Sequence, residues 1–410
     1  MPEGNGWERE KDSGHILYRF IVVCVVMTMQ IIAMMILRQT TPLYLESLEV
    51  SPTVLGLAVS SFRILPFLIS IPGGLVVDRV GHRRVICAGA GLMVVSGLIM
   101  ASLPSILPVI VAQLVGGLGH MLIVVATQAY VSDLAPDDRT KYFGLYSFAI
   151  GAGFLIGPPL AGAVNDIWGF SICFMALSLV AGLVVGLASR MQKANEFTAT
   201  EGTERSPLPE FAQVLQNCRK LLSQPLIRLS LSLSMCALLV MTLRSSFFIV
   251  HLNNLGLPST QIGLLLAVLG GVSLLLRPFL NHLTDLLGVL PLISISMALG
   301  AFGLYAVSVF HSFIPLVAAT VLFGFTPTFS QPLSMVMMAD SSPDEIQGMA
   351  LGFRQMANQV SLFTGPVMFG VVVTHFGLQA AFWLAGFILL AASGLFMFIH
   401  FRFHDQLENL

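Results

Sequence analysis

The chain has 410 residues, of which 56% are hydrophobic and only 10% are charged, and its formal net charge at pH 7 is −1. Soluble globular domains carry roughly 25% charged residues, so this composition excludes a soluble fold. The near-zero net charge offers no global field that would recruit nucleic acid, and no nucleic-acid partner is expected. The composition therefore predicts an all-α protein that crosses a lipid bilayer several times.

The cysteines and the N-terminus add no further chemistry. The five cysteines show no paired spacing and mostly lie in apolar runs, so we expect neither a disulfide framework nor a metal site, and no cofactor. The polar segment 1–14 precedes an apolar run that is too long for a cleaved signal peptide and lacks a small-residue cleavage site. We expect that run to remain as the first membrane helix.

A helix needs about 20 mostly apolar residues to cross a bilayer. Twelve runs meet this need, six on each side of a long polar segment, and we number them spans 1 to 12. They cover residues 17–42, 54–77, 84–103, 106–132, 141–165, 169–189, 226–250, 258–281, 289–309, 312–338, 347–374 and 378–401. The sequence thus predicts an N-terminal six-helix half at 1–190, a cytoplasmic linker at 191–225 and a C-terminal six-helix half at 226–410. The expected architecture is two pseudo-symmetric six-helix bundles around a central cavity.

The basic residues predict the orientation of the spans. Lys and Arg of the loops and termini fall on one side, whereas the opposite loops carry none and hold Glu46, Glu49 and Asp166 instead. Cytoplasmic loops retain an excess of Lys and Arg. We therefore expect a multi-pass inner (plasma) membrane protein with both termini in the cytoplasm. Segment 211–222 of the linker fits either a helix on the membrane surface or a disordered tether.

An internal repeat relates the two halves. The stretch 45–57 recurs at 252–264, and at the same offset Asp78 matches Asp285 and Asp133 matches Asp340. One residue out of register, the Gly-Pro pair at 157–158 recurs at 365–366. The shared order and offset indicate duplication of a six-helix unit. Two such units around a cavity are typical of transporters.

The loop after span 2 carries a family signature. The segment Gly74-Leu-Val-Val-Asp78-Arg79-Val-Gly81-His82-Arg83-Arg84 resembles the loop motif of the major facilitator superfamily. The resemblance covers the whole chain and implies a loop that latches the two halves in one transport state, although a basic anchor at the headgroups would need only the charge rule. The family usually has Arg or Lys where this chain has His82. The basic partner of Asp133, at the cytoplasmic end of span 4, is therefore left open.

Span 5 carries a second resemblance. It contains Gly153 and then Gly157-Pro158-Pro159, which is similar to the glycine-proline motif of the exporter branch of that superfamily. Small residues let helices approach closely and proline permits a bend, so the motif implies a helix that rocks during export; ordinary close packing is the alternative. In span 4, Gln113 stands where proton-linked exporters of the family carry a buried arginine. Proton coupling by that residue is not supported.

Five arginines lie at bilayer depth without any deep Asp or Glu. They are Arg38, Arg63, Arg244, Arg277 and Arg354, in spans 1, 2, 7, 8 and 11. Intramembrane charges usually face a cavity or a partner, and guanidinium groups suit carboxylate or phosphate. We expect an anionic substrate held chiefly by Arg38, Arg63 and Arg244. Arg277 and Arg354 are expected either to snorkel or to form a gate with Asp285 or Asp340. Alternatively, each arginine bonds helix carbonyls and only holds the bundle together.

Uncharged polar side chains complete the expected substrate site. We include His120, Gln113 and Gln331 among the substrate contacts, and Gln30, Gln128, Gln355 and Asn358 are further candidates. Histidine is the side chain that titrates near neutral pH. His120 is therefore a candidate carrier of a coupling proton, or else a packing residue.

The function predicted from these features is secondary active transport by alternating access. We expect gradient-driven efflux of an amphipathic organic anion or drug-like molecule by a monomer that couples to protons or ions. The alternatives are an uptake symporter for an anionic nutrient and a non-transporting membrane sensor. An enzyme is not expected, because the chain lacks a phosphate-binding P-loop, a metal-spaced histidine pair and a nucleophile elbow.

Overall fold

The computed structural model describes residues 6–68, 77, 80–134, 139–191, 219, 221–342 and 347–407. This part of the chain is helical and contains no β-strand. The α-helices are α1 Gly6–Ser47, α2 Pro52–Ser61, α3 His82–Ser102, α4 Ile106–Leu134, α5 Arg139–Arg190, α6 Pro225–Arg244, α7 Phe247–Asn254, α8 Ser259–Leu276, α9 Leu280–Leu287, α10 Val289–Val309, α11 Phe313–Asp340, α12 Gln347–Phe376 and α13 Leu378–Leu407. The predicted all-α membrane fold is confirmed.

The described helices account for most of the predicted spans. Ten of them are long and apolar enough to cross a membrane, among the residues that the structure describes. One of these, Lys141–Arg190, has 50 residues, which at 1.5 Å per residue is about 75 Å, more than twice the hydrocarbon thickness. Gly169 breaks it with φ 77° and ψ −178°, a conformation that glycine adopts without a steric penalty. Predicted spans 5 and 6 are therefore the two arms of α5.

Two predicted segments are only partly described. Span 2 begins as α2 and continues as a helical stretch at 64–68, and most of its remainder lies outside the described residues. The predicted linker 191–225 is described only at residues 191, 219 and 221–225. The surface helix expected within 211–222 therefore falls mainly outside the described part of the chain.

Unit 1 of the structure gathers the described residues of Met1–Leu48, Ser61–Thr200 and Pro258–Ala267. Within it, α1 packs along α5, and α3 packs against both α4 and α5. Small residues set the close approaches: a side chain at Gly89 would collide with the carbonyl oxygen of Gly119, and one at Gly97 would collide with Ser178. Because lipid tails are as apolar as the side chains, helices in a membrane associate mainly through van der Waals contacts, and small residues allow their backbones to make such contacts.

Unit 2 gathers the described residues of Glu49–Ser60, Glu201–Leu257 and Val268–Leu410. Its packing repeats the scheme of unit 1, with α6 against α12, and α10 against both α11 and α13. Gly300 and Gly303 of α10 lie against Thr326 and the backbone of α11. The duplicated unit indicated by the sequence is thus a duplicated packing scheme.

Candidate functional site

Glycines of α4 bring two arginine-bearing segments together in unit 1. Gly116 lies against the side chain of Leu37, the residue before Arg38 in α1. A side chain at Gly117 would collide with the carbonyl oxygen of Phe62. Phe62 and Arg63 form a turn that interrupts the helix after α2. The small face of α4 therefore seats both segments one turn before His120.

Three basic side chains of unit 1 form a cluster, which consists of Arg38, Arg63 and His120. The charges of the two arginines act on each other and both act on His120. The ring of Phe62 lies 5.4 Å from the guanidinium carbon of Arg63 and 5.9 Å from the His120 ring, between centroids. Within the described residues, neither arginine has a hydrogen bond or ion pair with an acidic side chain. A cluster of this kind lacks only an anion to balance it.

Two glutamines of unit 1 are buried close to these groups. Gln30 Nε2 lies 3.3 Å from His120 Nδ1, and the Oε1 atom of Gln30 is buried without a hydrogen-bond partner. Gln113, which was expected to contact substrate, donates from Nε2 to Thr41 Oγ1 at 2.7 Å. Gln30 therefore belongs to the basic cluster, whereas the side-chain amide of Gln113 is hydrogen-bonded to α1.

Arg354 has a different environment in unit 2. It is 7% exposed and donates from Nη2 to the backbone oxygen of Gln331 at 2.9 Å, to Gln331 Oε1 at 3.1 Å and to Ser334 Oγ at 2.7 Å. Ser234 and Asn358 extend this network, with Ser234 Oγ donating to Asn358 Oδ1 at 2.6 Å. Arg354 and Gln331 together therefore tie α6, α11 and α12 to one another.

The remaining charged candidates of unit 2 are spread along the chain. Arg244 is the last residue of α6 and is half-buried. Arg277 opens the short 3₁₀ turn Arg277–Phe279 and is exposed, as is Asp285 of α9. In the described part of the chain neither Arg277 nor Arg354 forms an ion pair with Asp285 or Asp340. The gate suggested for these residues stays a prediction.

The loop signature is described only from Val80 onward, apart from Val77, and Gly74, Asp78 and Arg79 lie outside the described residues. Gly81 has φ 88° and precedes the first residue of α3. That residue is His82, whose Nε2 lies 3.3 Å from Asp133 Oδ2, while Arg83 follows it on the helix. His82 also packs edge-on against Tyr130, with ring centroids 5.8 Å apart. His82 is therefore the partner of Asp133 that the sequence left open.

Replacing His82 by arginine tests this pair. Asp133 is 55% exposed as a side chain, and such pairs contribute about 0.2–1 kcal/mol. Arginine keeps its positive charge at pH 8, so we expect His82→Arg to raise the melting temperature slightly at that pH. The gain should vanish in the His82→Arg/Asp133→Asn double variant, measured by thermal unfolding in detergent. An equal gain with and without Asp133 would show that the two residues do not interact.

The glycine-proline motif forms a close joint on two sides of α5. Side chains at Gly153 and Gly157 would collide with Ile31 and Met35 of α1. On another side, one at Gly162 would collide with the carbonyl oxygen of Ser259, at the start of α8. Likewise, one at Gly263 would collide with the carbonyl oxygen of Pro158. The motif is thus a surface on which neighbouring backbones touch.

Unit 2 contains the counterpart of this joint, built from the repeated residues. A side chain at Gly56 of α2 would collide with the carbonyl oxygen of Pro366 in α12, and one at Gly370 with that of Pro52. At its end, Thr53 Oγ1 and Thr374 Oγ1 lie 2.9 Å apart. The Gly-Pro pairs found in spans 5 and 11 therefore serve the same packing purpose in each unit.

In unit 1 the side chain at the end of the close joint is the carboxylate of Asp166, whereas in unit 2 it is the hydroxyl of Thr374. Asp166 Oδ1 accepts from the backbone N–H of Ser259 at 2.8 Å, and Oδ2 accepts from the N–H and the hydroxyl of Thr260 at 2.8 and 2.6 Å. These donors are the free groups at the N-terminus of α8, where a negative charge is favourable. Asp166 lies between the two arms of α5. Burial opposes its ionisation, but the hydrogen bonds from Thr260 and Ser259 outweigh burial and hold its pKa below the ordinary 3.8.

Asp166→Asn tests this cap. Because the folded-state pKa is lowered, the carboxylate stabilises the protein at neutral pH, and this contribution is lost as the pH falls through the folded-state pKa. We expect Asp166→Asn to cost up to about 1 kcal/mol at pH 7, because the negative charge at the N-terminus of α8 is lost, and we expect the difference from the wild type to shrink in acid. Thr374→Ala, at the neutral joint, is the control and should show no such pH dependence. Thermal unfolding from pH 7 to well below pH 3.8, the ordinary pKa of the carboxyl group, measures both, and an effect of Asp166→Asn that stays constant over this range would refute the capping role.

The chain matches the family model of the Major Facilitator Superfamily over residues 20–253 and again over 230–408. It is 21% identical over 358 residues to multidrug resistance protein 2 of Bacillus subtilis, covering 87% of this chain and 88% of that protein. It is 28% identical over 127 residues to the quinolone resistance protein NorA of Staphylococcus aureus, covering 31% of this chain and 33% of that protein.

A solved structure shares the fold. The nucleoside transporter NupG superposes with a TM-score of 0.79 at 13% identity, covering 92% of this chain and 98% of that one. The assignment of the chain to a family rests on the family model, which matches both halves of the chain, and not on the shared fold alone. The chain is a member of the Major Facilitator Superfamily, and it is a multi-pass membrane transporter of small molecules, not an enzyme.

Proposed function

We propose that this transporter exports an amphipathic organic anion by gradient-driven alternating access, with Arg38 and Arg63 holding the anionic group. The observation that carries the proposal is the basic cluster, because two half-buried guanidinium groups that have no acidic partner within the described residues favour a ligand that brings the negative charge. His120 supplies a further donor, and Arg244 stays a candidate contact on its sequence position alone. The ring of Phe62, which is 3% exposed, is the apolar neighbour of Arg63 and His120 in this cluster.

Two observations favour export. The two relatives described above are resistance proteins, and the glycine-proline motif of α5 packs closely against both α1 and α8. Energy for export of an anion is available without a proton. A potential of 100 mV, negative inside, favours the exit of one negative charge by about 2.3 kcal/mol.

Uptake of an anionic metabolite together with a proton is the second candidate. It is favoured by the position of His120, which lies in the same cluster as the two arginines. A titratable imidazole beside an anion site lets a proton and an anion occupy adjacent groups. If the protein takes up the anion together with a proton, His120→Asn will abolish proton-driven accumulation. If the protein exports the anion by the membrane potential, His120→Asn will leave transport in place.

The topology belongs to the same proposal. We place both termini in the cytoplasm of the inner (plasma) membrane, with residues 191–225 as the linker between the halves 1–190 and 226–410. The basic loop of Arg83 and the His82–Asp133 pair then lies on the cytoplasmic side, where it acts as a latch. The monomer is taken as the transporting unit.

The direction is tested with membrane vesicles of both orientations. Radiolabelled cinnamate is presented at pH 8, where it is ionised, to energised inverted vesicles and to right-side-out vesicles. Export predicts accumulation in inverted vesicles that contain the protein and not in vesicles that lack it. Accumulation only in right-side-out vesicles, driven by a proton gradient and lost in His120→Asn, would establish uptake instead.

A further inference from the structure

Among the buried side-chain polar atoms of unit 1 that have no hydrogen-bond partner, the Oε1 atom of Gln30 lies beside the basic cluster. The side chain of Gln30 is fully buried, with 0% exposure, and its Oε1 atom has no hydrogen-bond partner. Buried polar groups are almost always hydrogen-bonded, and leaving a buried acceptor unpaired is costly. An unpaired amide oxygen beside a basic cluster is therefore a feature that needs a ligand.

The rest of the Gln30 amide is held in place by the cluster itself. With Nδ1 of His120 as the acceptor, Gln30 donates through Nε2 at 3.3 Å, and His120 carries its proton on Nε2. The cluster then offers donors from Arg38, Arg63 and His120, and a single acceptor from Gln30. A ligand that satisfies all of them carries an anionic group and, apart from it, a hydrogen-bond donor.

The distance between these groups sets the length of that ligand. Gln30 and Arg38 lie on the same helix, eight positions apart, and eight residues of α-helix rise about 12 Å. Both side chains lean toward the N-terminus of α1 and that of Arg38 is the longer, so their ends are at most about 12 Å apart along the helix axis. The ring of Phe62 lies beside Arg63 and His120 and makes the arginine end of the cluster partly apolar.

We propose that the transported solute is an elongated, partly apolar anion with a hydrogen-bond donor at its far end, and that Gln30 is the residue that selects for this donor. This rests on the proposed anion site and specifies its substrate class. A site that pairs a buried group with a substrate hydroxyl rejects the analogue without it more strongly than an apolar pocket rejects a small size change.

Three aromatic acids of matched shape test the proposal on the purified full-length protein. These are 4-hydroxycinnamate, 4-methoxycinnamate and cinnamate, which end in a donor, an acceptor only, and neither. We expect the wild type to bind 4-hydroxycinnamate about 10-fold more tightly than the other two acids, as measured by calorimetry at pH 8. Equal binding of the three would overturn the role of Gln30, and tightest binding of the methoxy acid would show that the amide presents its nitrogen.

Two variants on the same helix separate specificity from structure. Gln30→Met should remove the preference for the hydroxyl while cinnamate still binds. Gln39→Met is the matched control, because Gln39 is also buried with an unpaired Oε1 but donates its Nε2 to the backbone oxygen of Ser259 at 3.2 Å. This control should keep the preference, and its loss there would overturn the proposal. If none of the acids binds the wild type, the anion site itself fails, which is a different result from equal binding of all three.

Discussion

Arg63→Gln is expected to weaken the binding of cinnamate by at least about 10-fold and to reduce transport to the same degree. A charge-assisted hydrogen bond contributes about 1.5–3 kcal/mol, and within the described residues Arg63 has no acidic partner that competes with a ligand. Arg63→Lys should recover part of the loss only, because an ammonium group does not present the planar fork of guanidinium. Arg38→Gln should behave in the same way.

Arg354→Gln is the matched control for these variants. Arg354 is likewise an arginine within the membrane spans, and neutral acceptors on Gln331 and Ser334 engage it. Its loss should lower the melting temperature without changing the ratio of anion to cation binding. If Arg63→Gln bound cinnamate as the wild type does, the arginines of unit 1 would have a structural role only.

Gly162→Val is expected to abolish transport, whereas Gly182→Val on the same helix should transport as the wild type. A side chain at position 162 collides with backbone at Ser259, which cannot move aside as a flexible side chain would, while position 182 has no neighbouring atom within 4 Å. Overpacking typically costs about 1–3 kcal/mol. Gly56→Val should reproduce the effect in unit 2, where Pro366 provides the obstructing carbonyl oxygen.

Transport in vesicles and thermal unfolding in detergent together measure this prediction. Loss of transport with a nearly unchanged melting temperature would mean that this close packing belongs to one transport state. Loss of transport together with a lower melting temperature would mean that the packing is needed in every state. Wild-type transport by Gly162→Val would refute the close joint.

The fold could be predicted from the sequence because apolar length and small-residue patterns act locally along each helix. Hydropathy located the helices, and the Gly-Pro pairs marked the surfaces on which backbones touch. The break at Gly169 was also visible, since 50 apolar residues exceed two bilayer crossings. These signals need no knowledge of which helices become neighbours.

The site was less predictable because its chemistry depends on neighbours far apart in sequence. The sequence predicted Arg38, Arg63 and Arg244 as substrate contacts and Arg354 as a snorkelling or gate residue, whereas the structure gives Arg354 neutral acceptors and places Arg38 with Arg63. Gly117, which seats the Phe62–Arg63 turn, has no charge or motif that would distinguish it in the sequence. The sequence did not predict the cap formed by Asp166. The repeat contained a signal for it, because Asp166 corresponds to Thr374 and its donor Thr260 corresponds to Thr53.

The most direct test of the central claim compares matched ligands of opposite charge on the purified protein. Cinnamate, the cationic cinnamylamine and the neutral cinnamyl alcohol share one shape and differ in charge alone. The basic cluster predicts that cinnamate raises the melting temperature of the wild type and that this rise is absent in Arg38→Gln and Arg63→Gln. A rise produced by cinnamylamine and unaffected by either substitution would contradict the anion site.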